Sequence, residues 1–329
     1  MLTVLTVSST SASKNKKRYT IQFGSSAGDS GNYIGVAAVA KEFGFIKEEL
    51  DKIGYDVEFT GLTNGVAVNE AIISKSLDFS TLGDYPNATG IDNDVGFTWI
   101  GSTFNEYNMN IVVANKSSIK TPKDLEGHSV GYGFGTAGQY LWENLVKLYK
   151  IDRSKVQEVN ITNNSNGVSI ILTGNIDAYV GSEFSTIDYV SEKILREIAN
   201  THDYPQWAPQ STIIARTKFL KEHPETAVAI EKAFIRAWQE IRKNPEKYYD
   251  TISGFRLKQH PEAGDKIFNY DGGKFNNLFV GVSDSQIERQ QNLYNFFREI
   301  GRIRSDKKVK QYADNSYYLK AAKELGFKG

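Results

Sequence analysis

The stretch "VEFTGLTNGVAVNEAIISKSLDFSTLGDYP", residues 57–86, has a counterpart later in the chain, "VNITNNSNGVSIILTGNIDAYVGSEFS", residues 159–185. Each contains a strand pattern, a polar loop, Asn-Gly-Val, an apolar helix pattern and a second strand that ends near a glycine and an acid. The matched positions are Asn64 with Asn166, Gly65 with Gly167, Asp78 with Asp177, and Asp84 with Glu183. Chance similarity of two strand–helix–strand units is the alternative, which the shared anchors and order disfavour. The repeat predicts two similar lobes that face each other, each with an acid-bearing loop.

Strand and helix patterns alternate along most of the chain. Strands are predicted at residues 17–23, 55–60, 78–82, 97–104, 109–115, 156–161 and 177–182. Helices are predicted at residues 66–76, 136–151, 167–174 and 283–301. A further helical stretch begins at Tyr33 and is interrupted at Gly44, and the chain is mostly helical from Pro224 onward. This alternation predicts an α/β fold with parallel sheet character, in which ligands bind beyond the carboxyl ends of the strands.

The composition argues against several classes of protein. Lys plus Arg number 39 and Asp plus Glu number 39, and this net charge of zero disfavours a nucleic-acid or anionic-membrane partner, since both need a basic surface. Cysteine is absent, so the sequence offers no disulfide and no thiol nucleophile. The histidines show no metal-ligand spacing, and no nucleophile elbow or P-loop occurs. The sequence therefore predicts no metal, no cofactor and no enzymatic activity.

The N-terminal segment "MLTVLTVSSTSASKNKK" has a short apolar run, small residues and a basic end. It fits the tail of a signal peptide with a small-residue cleavage site, and it fits a disordered start equally well. Residues 1–16 are therefore predicted to lie outside the folded lobes. No other segment approaches the roughly 20 apolar residues of a membrane-spanning helix.

The segment "GFGTAG", residues 133–138, fits the G-x-G-x-x-G pattern between a predicted strand and a predicted helix. Glu158 follows about 20 residues later, where a dinucleotide-binding protein has its ribose-binding acid. The segment lies in the middle of the chain, however, and the first copy of the repeat lacks these glycines. We therefore favour a loop that binds a small anion through backbone N–H groups over a dinucleotide loop.

Asp84 and Glu183 follow matching strands, and three interpretations of them are open. They could act as general acid and base across a cleft, bind a cationic group of a ligand, or cap the helices that follow. Catalysis is the least favoured, because no partner chemistry surrounds them. Aromatic residues in or beside the same loops predict an apolar-walled pocket: Tyr33, Tyr85, Tyr132, Phe134 and Phe184.

Four segments carry a family resemblance. They are "YIGVAAVAKEFGF" (33–45), "NEAIISKSLDFSTLGDYP" (69–86), "IKTPKDLEGHSVGYGFGTAGQYL" (119–141) and "ILTGNIDAYVGSEFS" (171–185). They resemble the motifs of the extracytoplasmic substrate-binding proteins of ABC importers for sulfonates, taurine and nitrate, whose relatives bind pyrimidine precursors of thiamine. The resemblance spans residues 20–242, and its second and third segments are specific for the family but for no single ligand.

The resemblance implies an α/β, two-lobed periplasmic-binding-protein fold of type II, with the ligand in the cleft between the lobes. Lobe 1 would comprise residues 17–110 and 211–329, and lobe 2 residues 111–210, with crossovers near residues 109–114 and 210–215. The resemblance further implies a monomer outside the cytoplasm, in the periplasm or anchored at the cell surface. Such a protein closes on a small-molecule ligand and delivers it to the transmembrane permease of an ABC importer.

Carried over position by position, the resemblance places ligand contacts at Ser25, Asn32, Tyr33, Asp84, Tyr85, Gly135, Thr136, Ser182 and Glu183. Sulfonate-binding members often have Trp-Asp-Pro where this chain has Ser-Glu-Phe at residues 182–184. An acid in each lobe disfavours a purely anionic ligand, whereas helix N-termini favour an anionic end. A zwitterion such as an aminosulfonate satisfies both demands. The alternatives are a cationic or pyrimidine-type ligand and, less favoured, a nucleotide-cofactor oxidoreductase that uses the GFGTAG loop.

Overall fold

A computed structural model describes residues 18–26, 33–104, 106–163, 166–253 and 279–328. The strands in these ranges are β1 (Tyr19–Ser25), β2 (Tyr55–Gly61), β3 (Phe79–Gly83), β4 (Phe97–Phe104), β5 (Met109–Ala114), β6 (Ser129–Tyr132), β7 (Gln157–Asn160), β8 (Ala178–Ser182), β9 (Leu195–Asn200) and β10 (Ser211–Arg216). The helices are α1 (Gly35–Glu42), α2 (Phe45–Asp51), α3 (Gly65–Ile73), α4 (Asp84–Asp92), α5 (Ala137–Tyr149), α6 (Gly167–Leu172), α7 (Glu183–Ser191), α8 (Thr217–Glu222), α9 (Pro224–Lys243), α10 (Tyr249–Ser253), α11 (Asp284–Glu299) and α12 (Ser316–Leu325).

The strands form two five-stranded sheets of the same design. The first has the order β2-β1-β3-β10-β4 and the second the order β7-β6-β8-β5-β9. In each sheet the first three strands are mutually parallel, and the fourth is antiparallel to both of its neighbours. The predicted α/β fold with two similar lobes is confirmed.

The chain passes between the sheets twice. It leaves the first sheet at Phe104 and enters the second at Met109, and it returns between Asn200 and Ser211. The predicted crossover ranges, 109–114 and 210–215, therefore lie just after the observed connections. They coincide with β5 and β10, the antiparallel fourth strands of the two sheets. The backbone N–H of Tyr107 donates to the carbonyl of Pro209 at 3.0 Å, so the two connections are hydrogen bonded to each other. The division into lobes at residues 110 and 210 stays a proposal, which this path of the chain supports.

The Asn-Gly pair of the repeat starts a helix in each lobe. A Cβ atom on Gly65, the first residue of α3, would lie 2.3 Å from Cγ of Pro86. A Cβ atom on Gly167, the first residue of α6, would lie 2.1 Å from Cζ of Tyr179. Glycine in each copy thus lets the helix start approach the element that follows it within the same lobe.

Helices from the C-terminal part of the chain cover the first sheet. Helix α9 packs against α1, α2 and α12, and its apolar face belongs to the largest hydrophobic cluster. Helix α11 packs against α4, where the rings of Tyr85 and Phe297 stack at a centroid distance of 3.9 Å. The first lobe is therefore completed by residues far along the chain.

Glu231 lies in the middle of α9 and is fully buried, at 0% exposure. Within the described part of the chain, neither carboxyl oxygen has a hydrogen-bond partner. Its Oε1 lies beneath Gly101, 2.2 Å from where a Cβ atom on that glycine would be. Burial raises the pKa of Glu231 well above its ordinary value, because the charged form would be desolvated without compensation.

Glu231→Met should therefore raise the free energy of unfolding by about 1–3 kcal/mol at neutral pH, the cost of an unsatisfied buried polar group. The gain should grow with pH, because above the ordinary glutamate pKa the unfolded wild type ionises while the folded wild type does not. Urea denaturation at pH 5 and pH 8 measures both effects. Glu240→Met, on the same helix but less buried and paired with Lys243, is the control and should not gain stability. A loss of stability in Glu231→Met would mean that the carboxyl group has a stabilising partner.

Candidate ligand-binding cleft

A cavity of about 430 Å³ lies between the two sheets. Its lining from the first lobe includes Ser26, Ile34, Gly65, Thr81, Gly83 and Pro86. Its lining from the second lobe includes Gly133, Thr136, Ala137, Gly138, Ser182 and Ser185. Tyr107, in the first crossover, closes the cavity on the side of the connections. A volume of this size suits a small organic molecule, and both lobes would contact it.

Helices of both lobes start at this cavity, because they follow strands whose carboxyl ends meet there. The lining residues at these starts include Ile34 before α1, Gly65 in α3, Gly83 before α4, Thr136 before α5 and Ser182 before α7. The first N–H groups of a helix have no acceptor within the helix, and the helix dipole adds a partial positive charge. The arrangement favours a ligand with an anionic group.

The helix starts at the cavity differ in how they are capped. Asn64 Oδ1 accepts hydrogen bonds from the N–H groups of Val66 and Ala67 at 2.9 and 3.1 Å and so caps α3. The Thr136 hydroxyl donates to the carbonyl of Gly133 at 2.7 Å and makes no cap for α5. Side-chain caps are likewise absent at α7 of the second lobe and at α1 and α4 of the first lobe. The capping therefore differs from helix to helix, and α5 is an uncapped start that faces the cavity.

The charges that line the cavity are few. Among the described lining residues, Asp188 carries the one charged side chain, and none is Lys, Arg or His. The remaining walls are hydroxyl-bearing, small, aliphatic or aromatic residues, among them Val180, Tyr179 and Phe184. Backbone N–H groups and hydroxyls, not basic side chains, therefore provide the anion-binding character of this part of the cleft.

The two lobes also touch at the rim of the cleft. The Asn64 Nδ2 group donates to the carbonyl of Thr162 in the second lobe at 2.8 Å. A Cβ atom on Gly135 would lie 3.3 Å from Cγ2 of Val66, so these residues face each other across the opening. The two lobes are therefore in contact across the opening of the cleft.

Asp84 is buried in the hinge region and is not among the residues that line the cavity. Its Oδ1 accepts a hydrogen bond from the N–H of Tyr85 at 2.7 Å, within its own helix. Its Oδ2 accepts one from the N–H of Gln210 at 3.3 Å, at the end of the second crossover. Burial raises the pKa of Asp84 to about 7, although these N–H groups and the charge of Arg289 act in the opposite direction. Asp84 thus joins the start of α4 to the returning chain.

Glu183 has the matching position in the second lobe and contacts the other connection. Its backbone N–H donates to the carbonyl of Asn108 at 2.9 Å, and its Oε2 accepts from Asn108 Nδ2 at 2.9 Å. The same Oε2 lies 3.1 Å from Nε2 of His202. Both acids of the repeat are therefore placed to hold crossovers, a role that the three interpretations of the sequence did not include.

The other predicted contacts divide into two groups. Thr136 and Ser182 line the cavity, and Gly135 lies at its rim. Ser25, Tyr33 and Tyr85 are buried in the first lobe: the Ser25 hydroxyl accepts from the lining Thr81 at 3.2 Å, the Tyr33 hydroxyl donates to the carbonyl of Phe23 at 2.6 Å, and Tyr85 stacks on Phe297. Asn32 lies outside the described residues.

The aromatic residues that line the cavity differ from those that the sequence predicted. Phe184 lines the cavity, whereas Phe134 is exposed and Tyr132 is buried beneath the second sheet. The lining tyrosines are instead Tyr107, Tyr179 and Tyr189. The sequence offered one signal for this face of the cleft: residues 182, 185, 188 and 189 have helical spacing from the end of a strand.

The GFGTAG loop reaches the cavity, but Glu158 does not line it and is hydrogen bonded to other side chains of the second lobe. Its carboxylate accepts hydrogen bonds from Arg153 Nε at 2.7 Å, Trp142 Nε1 at 2.8 Å and the Tyr132 hydroxyl at 2.9 Å. Burial acts to raise the pKa of Glu158, but these donors outweigh it and hold the pKa below its ordinary value. An acid bound by three donors is poorly placed to hold a ribose, which favours the anion-loop interpretation over the dinucleotide one.

Comparisons with known proteins agree with this geometry. The family model described as "NMT1/THI5 like" matches residues 32–248. A protein of Bacillus subtilis (strain 168), provisionally named an aliphatic sulfonates-binding protein, is 25% identical over 293 residues, which cover 87% of this chain and 84% of that relative.

Two solved structures have the same fold. One is the alkanesulfonate-binding protein SsuA from Xanthomonas axonopodis pv. citri bound to MOPS, with a TM-score of 0.73, 13% identity and coverage of 91% of this chain and 99% of that chain. The other is the desulfurization enzyme DSZB, with a TM-score of 0.68, 12% identity and coverage of 94% and 100%. At these identities the likeness concerns the fold alone, and the fold serves binding proteins and an enzyme alike.

Proposed function

The chain belongs to the NMT1/THI5-like family, and on that premise we propose that it is an extracytoplasmic solute-binding protein for small organic sulfonates. It closes its two lobes on the ligand and presents it to the membrane permease of an ABC importer. The observation that carries this proposal is the cavity between two like sheets, at which helices of both lobes start. A sulfonate is a compact anion, and helix starts bind such anions without basic side chains.

Binding rather than turnover is favoured by the chemistry of the cleft. The described lining residues include neither Cys nor His, and the acids Asp84 and Glu183 hold the crossovers instead of facing the cavity. We propose Thr136 and Ser182 as ligand contacts, and Asp84 and Glu183 as hinge residues. The relatives named for sulfonate binding support the ligand class, and a pyrimidine-type ligand is the alternative that the sequence resemblance implies.

The proposed location and partners follow from the same role. No helix in the described ranges combines the length and the apolar character needed to cross a bilayer. We propose separately that the protein meets the membrane through the permease, to which both lobes would be presented in their closed arrangement. We further propose that the protein acts as a monomer, because one chain provides both walls of the cavity.

A thermal-shift panel tests the function. The purified chain is heated with taurine, ethanesulfonate, nitrate, 4-amino-5-hydroxymethyl-2-methylpyrimidine or NAD. A ligand at 100 times its Kd stabilises the folded state by about 2.7 kcal/mol, which is a shift of several degrees in Tm. We expect this shift with at least one sulfonate. A shift with the pyrimidine alone would move the protein to the thiamine-precursor class, and a shift with NAD alone would overturn the binding-protein proposal.

A further inference from the structure

A hydrogen bond joins the matching polar loops of the two repeat copies. The Nδ2 group of Asn64, in the loop after β2, donates to the carbonyl of Thr162, in the loop after β7, at 2.8 Å. Strands β2 and β7 lie at one edge of their sheets, whereas the crossovers leave and enter at the opposite side, through β4 and β10 in the first sheet and β5 and β9 in the second. Neighbouring strands are about 4.8 Å apart, so the three strand spacings from β2 to β10, or from β7 to β5, amount to roughly 14 Å. The hydrogen bond therefore lies far from the crossovers.

The two ends of the Asn64 amide have different partners. Its Oδ1 accepts the N–H groups of Val66 and Ala67 and so caps α3 within the first lobe. The Nδ2 group then has to face a hydrogen-bond acceptor, which the carbonyl of Thr162 supplies. Asn166 has the matching position in the repeat but makes no side-chain cap for α6. Ser or Asp would cap α3 about equally well, so the bond to the second lobe is what asparagine adds at residue 64.

Contacts between the lobes near the crossovers are of another kind. The ring of Phe184 in the second lobe packs against Phe104, at the end of β4, and Tyr107, in the first crossover, at centroid distances of 5.5 and 6.5 Å. If the lobes rotate about the crossovers, atoms move in proportion to their distance from the axis, so these rings shift least. Asn64 and Thr162 shift more, and an N–H···O hydrogen bond is confined to about 2.7–3.2 Å between heavy atoms. Opening of the cleft therefore breaks this hydrogen bond before it disturbs the aromatic contacts.

We propose that Asn64 is a latch: its bond to Thr162 forms when the lobes close and slows the release of the ligand. This inference rests on the proposed function, in which the lobes close on a ligand. Asn64 is not among the described residues that line the cavity, so the latch should act on affinity whatever ligand is bound. The net contribution of one hydrogen bond corresponds to about 3- to 10-fold in Kd. Because the latch forms after the ligand has entered, the change should appear in the dissociation rate.

Two substitutions at residue 64 remove the latch and keep the cap. Asn64→Ser has a hydroxyl that caps α3 but is too short to reach the second lobe, and it adds no charge. Asn64→Asp also caps α3, but it turns an oxygen instead of an N–H donor toward the carbonyl of Thr162. Both variants should release taurine about 3- to 10-fold faster than the wild type in stopped-flow measurements, with little change in the Tm of the ligand-free protein. Asn166→Ser, at the matching position of the second copy, is the control and should behave as wild type.

Distances between two spin labels report on the latch directly. Because the chain contains no cysteine, Glu70→Cys and Leu172→Cys place one label on each lobe, at the exposed sixth residues of α3 and α6. Electron–electron double resonance then measures the separation of the lobes. We expect Asn64→Ser to shift the ligand-free distances to larger values, and saturating taurine to restore the distances of the wild type.

The outcomes separate the latch from the proposed function. The latch is overturned if Asn64→Ser releases taurine at the wild-type rate, or if faster release is confined to Asn64→Asp, because repulsion of the sulfonate would then be the cause. In both cases taurine binding by the wild type, and with it the proposed function, still stands. If the wild type binds no sulfonate, the proposed function fails, and the ligand-free distances still decide the inference: identical distances in the wild type and Asn64→Ser overturn it.

Discussion

Thr136→Asp should reduce sulfonate binding by at least 100-fold while leaving the fold intact. Asp is a preferred N-cap residue, so its carboxylate should accept hydrogen bonds from the first N–H groups of α5, which Thr136 leaves uncapped. It also places a negative charge where the sulfonate should lie. Two like charges about 4 Å apart near a protein surface repel by about 4 kcal/mol, which exceeds the roughly 2.7 kcal/mol of a 100-fold change in Kd.

Two variants at the same position separate the causes of that loss. Thr136→Asn caps the helix without a charge, so it should weaken binding less than Thr136→Asp, and Thr136→Ser keeps the hydroxyl and should bind like the wild type. Calorimetric titration with taurine measures all three, and the thermal midpoint without ligand reports on the fold. Unaltered taurine affinity in a folded Thr136→Asp variant would show that the anionic group binds elsewhere.

Asp84 should make stability depend on pH. Its pKa is about 7 when folded, against an ordinary value of 3.8. Below pH 3.8 both states keep the proton, whereas between pH 3.8 and about 7 the unfolded chain releases it and the folded chain retains it. The contribution of Asp84 to the free energy of unfolding therefore falls across this window, by about 4 kcal/mol at 1.36 kcal/mol per pH unit, and levels off above it.

Asp84→Asn should remove this dependence. The variant loses a carboxylate acceptor for the N–H groups of Tyr85 and Gln210. This loss lowers its free energy of unfolding by an amount that does not change with pH. The test is therefore the difference in free energy of unfolding between variant and wild type, from urea denaturation at pH 4, 5.5, 7 and 8. We expect it to move in favour of the variant as pH rises. A flat difference for Asp84→Asn would contradict the assignment of a raised pKa to this buried carboxyl.

The sequence repeat predicted the two lobes because local patterns suffice for that. Asn64 and Asn166, each followed by glycine, start helices at matching points, and β3 and β8 end at matching turns. Strand β9 escaped prediction, since Arg196 and Glu197 interrupt the apolar pattern of a strand at the edge of its sheet. Edge strands tolerate such charges, so hydrophobic alternation is a weak signal for them.

The roles of the acids and aromatics could not be predicted because they depend on distant parts of the chain. Asp84 binds the N–H of Gln210, which lies 126 positions later. Tyr85 stacks on Phe297 of a C-terminal helix that no local pattern connects to it. The position of Thr136 and Ser182 at the cleft could be predicted, because each lies between the end of a strand and the start of a helix. That pattern is visible in the local sequence, and in an α/β sheet such positions lie at the ligand-binding edge.

A crystal structure of the chain grown with saturating taurine is the most direct test of the account. We predict one taurine per chain in the cavity between the sheets, with sulfonate oxygens at hydrogen-bonding distance from the N–H groups of Ala137 and Gly138. An empty cavity, or a taurine bound on the outer surface of one lobe, would contradict it.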